Sequence, residues 1–331
     1  MNGQVPVLAE PLFNLNSDSS HNWDEKTKGR APHKPFLILS ILDGISEGWI
    51  DSPEIDPNQE LANHFFEYWD RIMGTDRTTT VALPFFHMNS EPFWNLKYKS
   101  GEKPFTYSPS WGAVKERIAY AEINEDLFNL VVNAEERNKI RNKLFETYFS
   151  DEAAVEINKI SNTNSEVYSY SEKILSLAAG PFIKNHAEHN KAYHRNVRQQ
   201  IRKDGFSKAI RKNYADICAV CRDKVITPGG KTLVEGAHII PWSESRNDDP
   251  RNGLSLCPTH HWLFDQFMIT IRDDFSVRVS KWLKKEETKI RDLATLKNTT
   301  LHLPIDEKLH PAHDALTYHN EQFEKAHKEW K

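Results

Sequence analysis

The sequence predicts an α+β fold with a helix-rich N-terminal domain and a second domain that combines short strands with a helix. Its 331 residues are enough for two domains that each bury a core. Charge divides the chain in the same way, because residues 1–155 carry 15 Lys and Arg against 24 Asp and Glu, whereas the remainder carries 28 against 23. Cysteine is confined to the second part, at positions 218, 221 and 257. We therefore expect two domains of different chemistry.

Composition narrows the class of protein before any motif is considered. Hydrophobic residues make up 38% of the chain and charged residues 27%, as in ordinary soluble domains. The longest apolar run, residues 36–42, is far too short for a bilayer span, and the N-terminus lacks a basic-then-apolar signal pattern. These features predict a soluble, cytoplasmic protein without a membrane partner. The odd number of cysteines favours a reducing compartment and a metal site over a disulfide framework.

The first half is expected to fold as a helical domain over residues 1–155. A buried helix is predicted over residues 35–44, introduced by the segment APHKP that begins at Ala31. Further helices are predicted over residues 111–130 and 135–149. Five of the nine tryptophans lie before residue 155, so this half should have a core of its own.

A polar stretch rich in Ser and Asn, residues 158–171, predicts the boundary between the domains. Residues 156–205 are expected to form a basic helical linker. Residues 191–212 hold eight basic residues and one acid, beside an apolar row with a spacing of four. The pattern predicts an amphipathic helix whose basic face contacts the phosphate backbone of a nucleic acid through Arg195, Arg198 and Arg202. A solvated surface helix is the alternative.

Two residue pairs in the second half have the spacing of metal ligands. They are Cys218-Ala-Val-Cys221 and Cys257-Pro-Thr-His260, and together they use every cysteine of the chain. Three thiolates and one imidazole match a tetrahedral zinc ion. Because four protein ligands leave no open position for water, this zinc is predicted to be structural.

The segments between and after these pairs contain a His, an Asn and a His in a characteristic order. His238 lies in VEGAHIIPW, Asn252 lies in DPRNGLSLC, and His261 lies in HHWLFD. This arrangement resembles the HNH nucleases of the ββα-metal fold. The resemblance implies a nuclease domain over residues 206–285 and a C-terminal extension, residues 286–331, that packs on it. Its elements are predicted in this order: a strand over 233–240, a strand over 254–257, a helix over 258–268 and a hairpin within 268–280.

Hydrolysis of a phosphodiester explains these residue types. It needs an activated water, a Lewis acid and stabilisation of the charge that develops. His238 would be the general base, because imidazole titrates near neutral pH. His261 and Asp265 lie four residues apart on one helix face and could hold a divalent cation such as Mg²⁺ or Mn²⁺. The resemblance gives Asn252 a bracing role, and Arg251 is a candidate phosphate contact.

One position departs from the pattern of many HNH nucleases. They have a metal ligand directly before the general base, where this chain has Ala237. Some branches of the family share this Ala-His form, so the departure does not exclude activity. Glu235, two residues further upstream, could contribute to the cation site instead.

Two stretches of the first half resemble the sulfur-binding domain of McrA-type, phosphorothioate-dependent type IV restriction endonucleases. They are APHKPFLIL, which begins at Ala31, and LPFFHM, which begins at Leu83 and is followed by PFWNL. The resemblance implies an apolar pocket that prefers a soft, weakly hydrated sulfur atom over a phosphate oxygen. The residues that would bind modified DNA are His33, Lys34, Leu83, Pro84, Phe86 and His87.

Together these signals predict a modification-dependent DNA endonuclease that restricts foreign DNA, including that of viruses. It would recognise phosphorothioated double-stranded DNA and leave 5′-phosphate and 3′-hydroxyl ends. Since one HNH site cuts one strand, a homodimer or two separate nicks would be needed for a double-strand break. The alternatives are an HNH nuclease triggered by methylated cytosine or acting on unmodified DNA, and a non-catalytic zinc-containing DNA-binding protein.

Overall fold

The structure is a computed structural model that describes residues 6–19, 22–185, 199–227, 231–284, 296–297 and 299–329. The chain divides into two compact units. Met1–Ser165 and Thr227–Lys231 form the first unit, and Glu166–Ile226 and Thr232–Lys331 form the second. Each unit contains its own cluster of buried hydrophobic side chains. Within the described residues, every helix is too short or too polar to cross a bilayer.

The first unit packs helices around a small sheet. Its helices are α1 (His33–Glu47), α2 (Gln59–Met73), α3 (Ala82–His87), α4 (Trp111–Arg117), α5 (Glu125–Val132), α6 (Ala134–Tyr148) and the first part of α7 (Asp151–Leu175). Its strands are β1 (Glu54–Ile55), β2 (Trp94–Tyr98) and β3 (Ile118–Ile123), which form an antiparallel sheet in the order β1-β3-β2.

Helix α1 is the centre of the first unit. Phe36, Leu37 and Leu39 are fully buried, and the helix contacts α2, α3, α5 and α6. It ends at Glu47, and the next residue, Gly48, adopts a left-handed conformation with φ of 82° and donates its N–H to the carbonyl of Gly44. The predicted helix over residues 35–44 is therefore confirmed, and it extends to Glu47 because apolar neighbours surround it.

The predicted continuous helix over residues 111–130 is wrong. Helix α4 ends at Arg117, and the chain then enters β3, the central strand of the sheet. Ala121 and Ile123 pair with Leu96 and Trp94 of β2, and they are buried. This strand depends on partners distant in sequence on both sides, which local periodicity does not reveal.

Helix α7 connects the two units. The polar stretch 158–171 is entirely helical, and the division between the units falls inside it, between residues 165 and 166. The predicted helix over residues 135–149 is also present, as α6.

The second unit contains a β-hairpin followed by a helix. Its elements are the end of α7, α8 (Gln199–Asn213), β4 (Glu235–His238), α9 (Trp242–Ser245), β5 (Gly253–Leu256), α10 (Pro258–Asp265), β6 (Ile269–Ile271), β7 (Val277–Val279) and α11 (His313–Glu329). Strands β4 and β5 are antiparallel, with His238 opposite Gly253. The predicted strands, helix and hairpin of this region are confirmed, although β4 and α10 are shorter than predicted.

Helix α8 lies very close to the β4–β5 hairpin. A Cβ atom placed on Gly236 would lie 2.8 Å from the Cα of Ser207, and one on Gly253 would lie 2.3 Å from the Cδ1 of Ile210. Only glycine allows the helix this approach. The approach brings the ring of Phe206 onto the hairpin.

The described part of the C-terminal extension packs on the hairpin and helix. His319 of α11 stacks on Phe264 with ring centroids 3.7 Å apart, and its Nδ1 lies 2.8 Å from the hydroxyl of Thr270. Burial lowers the pKa of His319 to about 4, because few groups here replace the water that would solvate its charged form. This histidine therefore contributes to packing.

Candidate active site and metal centre

The predicted zinc ligands come together in the structure. The ligand atoms of Cys218, Cys221, Cys257 and His260 all lie within 4.8 Å of one another. His260 Nδ1 is 3.1 Å from the Sγ of Cys257 and 3.5 Å from that of Cys218. This donor set fits zinc, because three thiols and an imidazole converge on one point; Cys221 is partly exposed and the other three ligands are buried.

Backbone geometry positions these ligands. Cys257 directly precedes Pro258, the first residue of α10, so His260 follows it by less than one turn of helix. The amide of Ala219, between the first two cysteines, donates to the carbonyl of Ser255 in β5. A bound metal would therefore join the 218–221 turn to the junction between β5 and α10.

His238 lies at the end of β4 and is held on two sides. Its Nε2 is 2.8 Å from Oδ1 of Asp248, and its ring stacks on Phe206 with centroids 3.7 Å apart. Burial lowers the pKa of His238, and the nearby Asp248 carboxylate offsets only part of that effect. The imidazole is thus neutral at pH 7, as a general base must be.

Asp248 is itself buried and fully engaged. It accepts hydrogen bonds from the Tyr170 hydroxyl at 2.6 Å and from the Arg202 guanidinium at 2.8 Å. Burial raises the pKa of Asp248, but His238, Arg202 and Tyr170 outweigh that effect and lower it overall. Asp248 is therefore a carboxylate next to a neutral imidazole.

Asn252 is completely buried and braces the loop between the two strands. Its Oδ1 accepts from the amide of Ile240, and its Nδ2 donates to the carbonyls of Ile240 and Asn247. The Asn252 carbonyl also accepts the amide of Ile239. These bonds fix the chain immediately after His238, in agreement with the expected bracing role.

The candidate cation site is centred on His261 of α10. One ring nitrogen, Nδ1, lies 3.7 Å from a Glu235 carboxylate oxygen, and Nε2 lies 3.5 Å from one of Asp265. Burial raises the pKa of Asp265, and His261 lowers it in part. The two carboxylates lie at opposite nitrogens of the ring, so the three groups do not converge on one point. His261 with one of these carboxylates offers a nitrogen and an oxygen ligand to a divalent cation, with the other positions open for water and substrate.

The arginines that were predicted to contact the DNA backbone differ in their surroundings. Arg202 is not on an exposed basic face: it is buried, paired with Asp248 and stacked on Trp242 at 4.0 Å. Arg251 lies mostly buried against the carboxylate of Asp249. Helix α8 thus turns Arg202 inward, because its apolar side packs on the hairpin. Arg195 and Arg198 lie outside the described residues.

A different arginine is exposed near the site. Arg246 follows α9 and extends over the ring of Trp242, also at 4.0 Å. Two guanidinium groups at that distance cannot share one face of an indole, so the ring separates Arg246 from Arg202. In the described part of the chain no carboxylate forms an ion pair with Arg246.

The first unit contains a cavity that collects most of the predicted modification-binding residues. Its volume is ≈ 500 Å³. The predicted residues that line it are His33, Lys34, Leu83, Pro84 and His87. Phe86 is not part of the lining; it lies beside His87, with ring centroids 5.1 Å apart. The lining also includes residues not singled out in the sequence, notably Trp23, Asp18 and Ser17.

Two of the cavity residues are held by their surroundings. Lys34 is buried and pairs with Glu91. His33 Nε2 is 2.9 Å from the Thr79 hydroxyl, and the ring lies against Trp23 and Trp69. Burial lowers the pKa of His33 to about 4, although Asp18 acts in the opposite direction. In this cavity the His33 imidazole is therefore neutral, and the charge of Lys34 is balanced by Glu91.

Sequence reasoning missed the partners of His238. Asp248 belongs to the run Asn-Asp-Asp-Pro, which is typical of a solvated turn, and Tyr170 precedes it by 78 residues. The sequence gives one indication of this segment: the residues between β4 and β5 are mostly polar, which predicts a loop. The burial of Asp248 within that loop becomes visible only in the folded structure.

Comparison with known proteins agrees with this geometry. Residues 218–272 match the HNH_2 family, described as an HNH endonuclease. The chain therefore carries an HNH endonuclease domain and is an enzyme by virtue of it. A solved structure described as the modification-dependent TagI restriction endonuclease is similar at 24% identity and a TM-score of 0.27, over 35% of this chain and 36% of that chain. No curated protein matches the sequence.

Proposed function

We propose that this protein is a modification-dependent DNA endonuclease that recognises phosphorothioated double-stranded DNA and hydrolyses it with a divalent cation. The observation that carries the nuclease part is the placement of His238, Asn252 and His261 on one hairpin and helix beside a zinc-type ligand cluster. The matching HNH family supports the same part. The cavity in the first unit supports modified DNA as the substrate.

In this reaction His238 takes a proton from the attacking water, and Asn252 keeps the histidine loop in place. His261 and Asp265 would hold the cation, which would supply Lewis-acid stabilisation of the phosphate. The four zinc ligands have a structural role, because four protein ligands leave no open coordination position for water or substrate.

Backbone contact close to the scissile phosphate is assigned to Arg246. The charge of Arg202 is already neutralised by Asp248, and that of Arg251 by Asp249. Arg246 is exposed, and stacking on Trp242 restricts its guanidinium, so it loses less freedom when it binds a phosphate. Arg195 and Arg198 remain proposed contacts along the duplex.

Recognition is assigned to the cavity around Pro84. Leu83 and Pro84 provide an apolar surface, and the neutral rings of His33 and His87 adjoin it. A sulfur that replaces a phosphate oxygen is larger and more weakly hydrated, so it gains more from such a surface than oxygen does. Because this gain comes from desolvation, a domain with excess negative charge can still bind DNA.

A second candidate trigger is a modified base. The cavity of ≈ 500 Å³ has room for more than one sulfur atom, and Trp23 and Asp18 lie in its wall. An aromatic ring beside a hydrogen-bonding acid is the usual composition of a pocket that holds a flipped base.

Cleavage of three matched plasmids tests the proposal. They carry phosphorothioate groups, methylated cytosine or no modification, and each is incubated with Mg²⁺ or Mn²⁺ and with an EDTA control. We expect only the phosphorothioated plasmid to be cut, and cutting to stop with EDTA. Cutting of the methylated plasmid alone would favour the base-reading pocket, and cutting of all three would contradict dependence on modification.

Variants separate the two parts of the proposal. His238→Ala is expected to reduce cleavage at least about 100-fold while DNA binding persists. Pro84→Asp should abolish the preference for phosphorothioated over unmodified DNA in binding, because a charge would line the apolar surface. His313→Ala, which changes a mostly exposed histidine, is the matched control. A His238→Ala variant that cuts like the unaltered protein would contradict the general-base role of His238. Equal DNA binding by the two proteins, with cleavage by neither, would indicate a zinc-containing DNA-binding protein instead.

A further inference from the structure

We propose that Asp248 is the positioning residue of the general base: it holds His238 with the proton on Nε2, so that Nδ1 is the atom that accepts a proton from water. This inference rests on the proposed nuclease function and adds to it a residue, a tautomer and a reacting atom.

The contacts around His238 carry the assignment. Nε2 is 2.8 Å from Oδ1 of Asp248, which is too close for anything but an N–H donated to the carboxylate. Nδ1 makes no hydrogen bond to the residues that the structure describes. The ring is stacked on Phe206 with an interplanar angle of 8°, so it cannot easily rotate to exchange its two nitrogens.

Asp248 is suited to this task because it is held from two helices. Tyr170 of α7 donates to Oδ2, and Arg202 of α8 donates to Oδ1, the oxygen that also receives His238. Three donors satisfy the carboxylate without a proton of its own. The side chain of Asp248 is only 2% exposed, so these three partners, and not bulk solvent, surround the carboxylate.

The charges that face His238 come from three elements. Asp248 lies in the loop after α9, Arg202 on α8 and His261 on α10. Arg202 and His261 both disfavour a positive charge on His238, and Asp248 alone among these groups favours it. Formation of an imidazolium during catalysis therefore depends on Asp248.

The chemical step balances as follows. Water gives one proton to Nδ1 of His238, and its oxygen forms a bond to phosphorus. The bond from phosphorus to the 3′-oxygen breaks, and that oxygen takes a proton from a second water. The 5′-phosphate end and the 3′-hydroxyl end are the products, and His238 returns its proton to solvent. In the interval, the imidazolium lies against the carboxylate of Asp248.

The first test is the pH dependence of cleavage by Asp248→Asn at saturating DNA and cation. An amide can donate to Nε2, which favours the tautomer with the proton on Nδ1 and removes the base, so we expect a loss of about 100- to 10,000-fold at pH 7. The acidic limb of the profile should also move to lower pH, because the carboxylate that favours protonation of His238 is gone.

Asp249→Asn is the matched control. It changes the adjacent aspartate, which is equally buried but pairs with Arg251 and not with His238. We expect its acidic limb to stay where it is in the unaltered protein. An Asp248→Asn variant within threefold of the unaltered rate and with an unmoved limb would overturn the proposal.

A second measurement reads the tautomer without using activity. Nitrogen-15 NMR of labelled histidine distinguishes a protonated from an unprotonated ring nitrogen, and His238→Ala identifies the signal. We expect Nε2 to carry the proton in the unaltered protein; a proton on Nδ1 would contradict the inference even if Asp248→Asn does not fold. If the unaltered protein cuts no DNA but Nε2 of His238 carries the proton, the proposed nuclease function is wrong. The assignment of Asp248 as the residue that positions His238 would still hold.

Discussion

At the scale of single residues, Asn252 shows how one amide can organise the loop of the candidate active site. It joins the backbone at Ile240 to the backbone at Asn247, and both atoms of its side-chain amide are used. No other neutral side chain of this size offers a donor and an acceptor in that geometry.

We predict that Asn252→Asp both destabilises the second unit and abolishes cleavage. The new oxygen would face two carbonyl groups, and a buried polar group without a partner costs about 1–3 kcal/mol, or more when charged. The free energy of unfolding, measured with denaturant, and the cleavage rate test this. Asn95→Asp, on an exposed position of β2, should change neither. Retained stability and cleavage in Asn252→Asp would contradict the bracing role.

The residue scale also shows what the sequence could reveal. The zinc ligands and the His, Asn and His motif were predicted because their spacing is short and their chemistry restricts the residue types. Asp248 was not, because its partnership with Tyr170 and Arg202 connects residues far apart in the chain. Local patterns contain no information on such a contact until the fold is known.

At the scale of secondary-structure elements, the short helix α9 presents Trp242 between two guanidinium groups. Arg202, on one side of the Trp242 ring, forms an ion pair with Asp248. Arg246, on the other side, directly follows the helix and has a left-handed conformation with φ of 50°. Helix α9 thus separates a structural arginine from one that can meet a phosphate.

We expect Arg246→Ala to weaken DNA binding about tenfold and to lower the slope of binding against salt by about one. Fluorescence anisotropy at several salt concentrations measures both quantities. Arg246→Lys should retain the slope but bind more weakly than the unaltered protein, since lysine stacks less well on indole. The control is Lys308→Ala, on an exposed turn far along the chain from α9. An unchanged slope in Arg246→Ala would exclude a phosphate contact.

Elements also differ in how well they can be predicted. Helix α1 was recognised because its segment 36–42 is apolar except for Ser40, and the structure buries nearly every side of it. Strand β3 was mistaken for helix, because the segment from Ile118 to Ile123 contains Ala and Glu, which suit a helix equally well. The segment is a strand because it pairs with β1 on one edge and with β2 on the other. Neither partner is adjacent to it in sequence, so local patterns do not reveal the pairing.

At the scale of the whole molecule, the two units depend on different devices for stability. The second unit has a ligand cluster in its core. The first has a buried polar network, in which the Asp43 carboxylate accepts hydrogen bonds from Arg141, Tyr68 and Ser161. In the same network the Nε2 of His64 lies 3.2 Å from a carboxylate oxygen of Glu47. Removal of metal and a change of pH should therefore affect different halves of the chain.

For the second unit, we predict that a strong chelator removes zinc and exposes the β4–β5 hairpin and α10 to hydrogen exchange. A structural zinc site contributes several kcal/mol to folding, so protection there should fall by orders of magnitude while α1 and α2 stay protected. Metal analysis should give about one zinc per chain, less in Cys257→Ser, and an unchanged amount in His261→Ala. Full protection after chelation would contradict a structural metal.

For the first unit, the prediction concerns alkaline pH. Burial lowers the pKa of His64, but the adjacent carboxylates of Asp43 and Glu47 prevail and raise it to about 10. A raised pKa stabilises the folded state fully below pH 6.5, and this stabilisation is lost as pH rises from 6.5 towards 10. The free energy of unfolding should fall by at most about 1.4 kcal/mol per pH unit from this group.

Denaturant unfolding between pH 6.5 and 10 measures this slope. His64→Gln should lose it, whereas His313→Gln should retain it, because His313 is mostly exposed. Equal slopes in the two variants would show that His64 carries no proton in the folded protein.

The close approach of helix α8 to the hairpin at Gly236 and Gly253 has a consequence for evolution. Any side chain at Gly253 would displace Ile210 and Phe206, and with Phe206 the ring on which His238 rests. Glycine has no side chain that could bind a metal, yet a mutation at Gly253 would affect His238 through a single layer of packing. We expect Gly236 and Gly253 to be replaced during evolution only together with the facing residues of α8, so that substitutions in the helix and in the hairpin occur jointly.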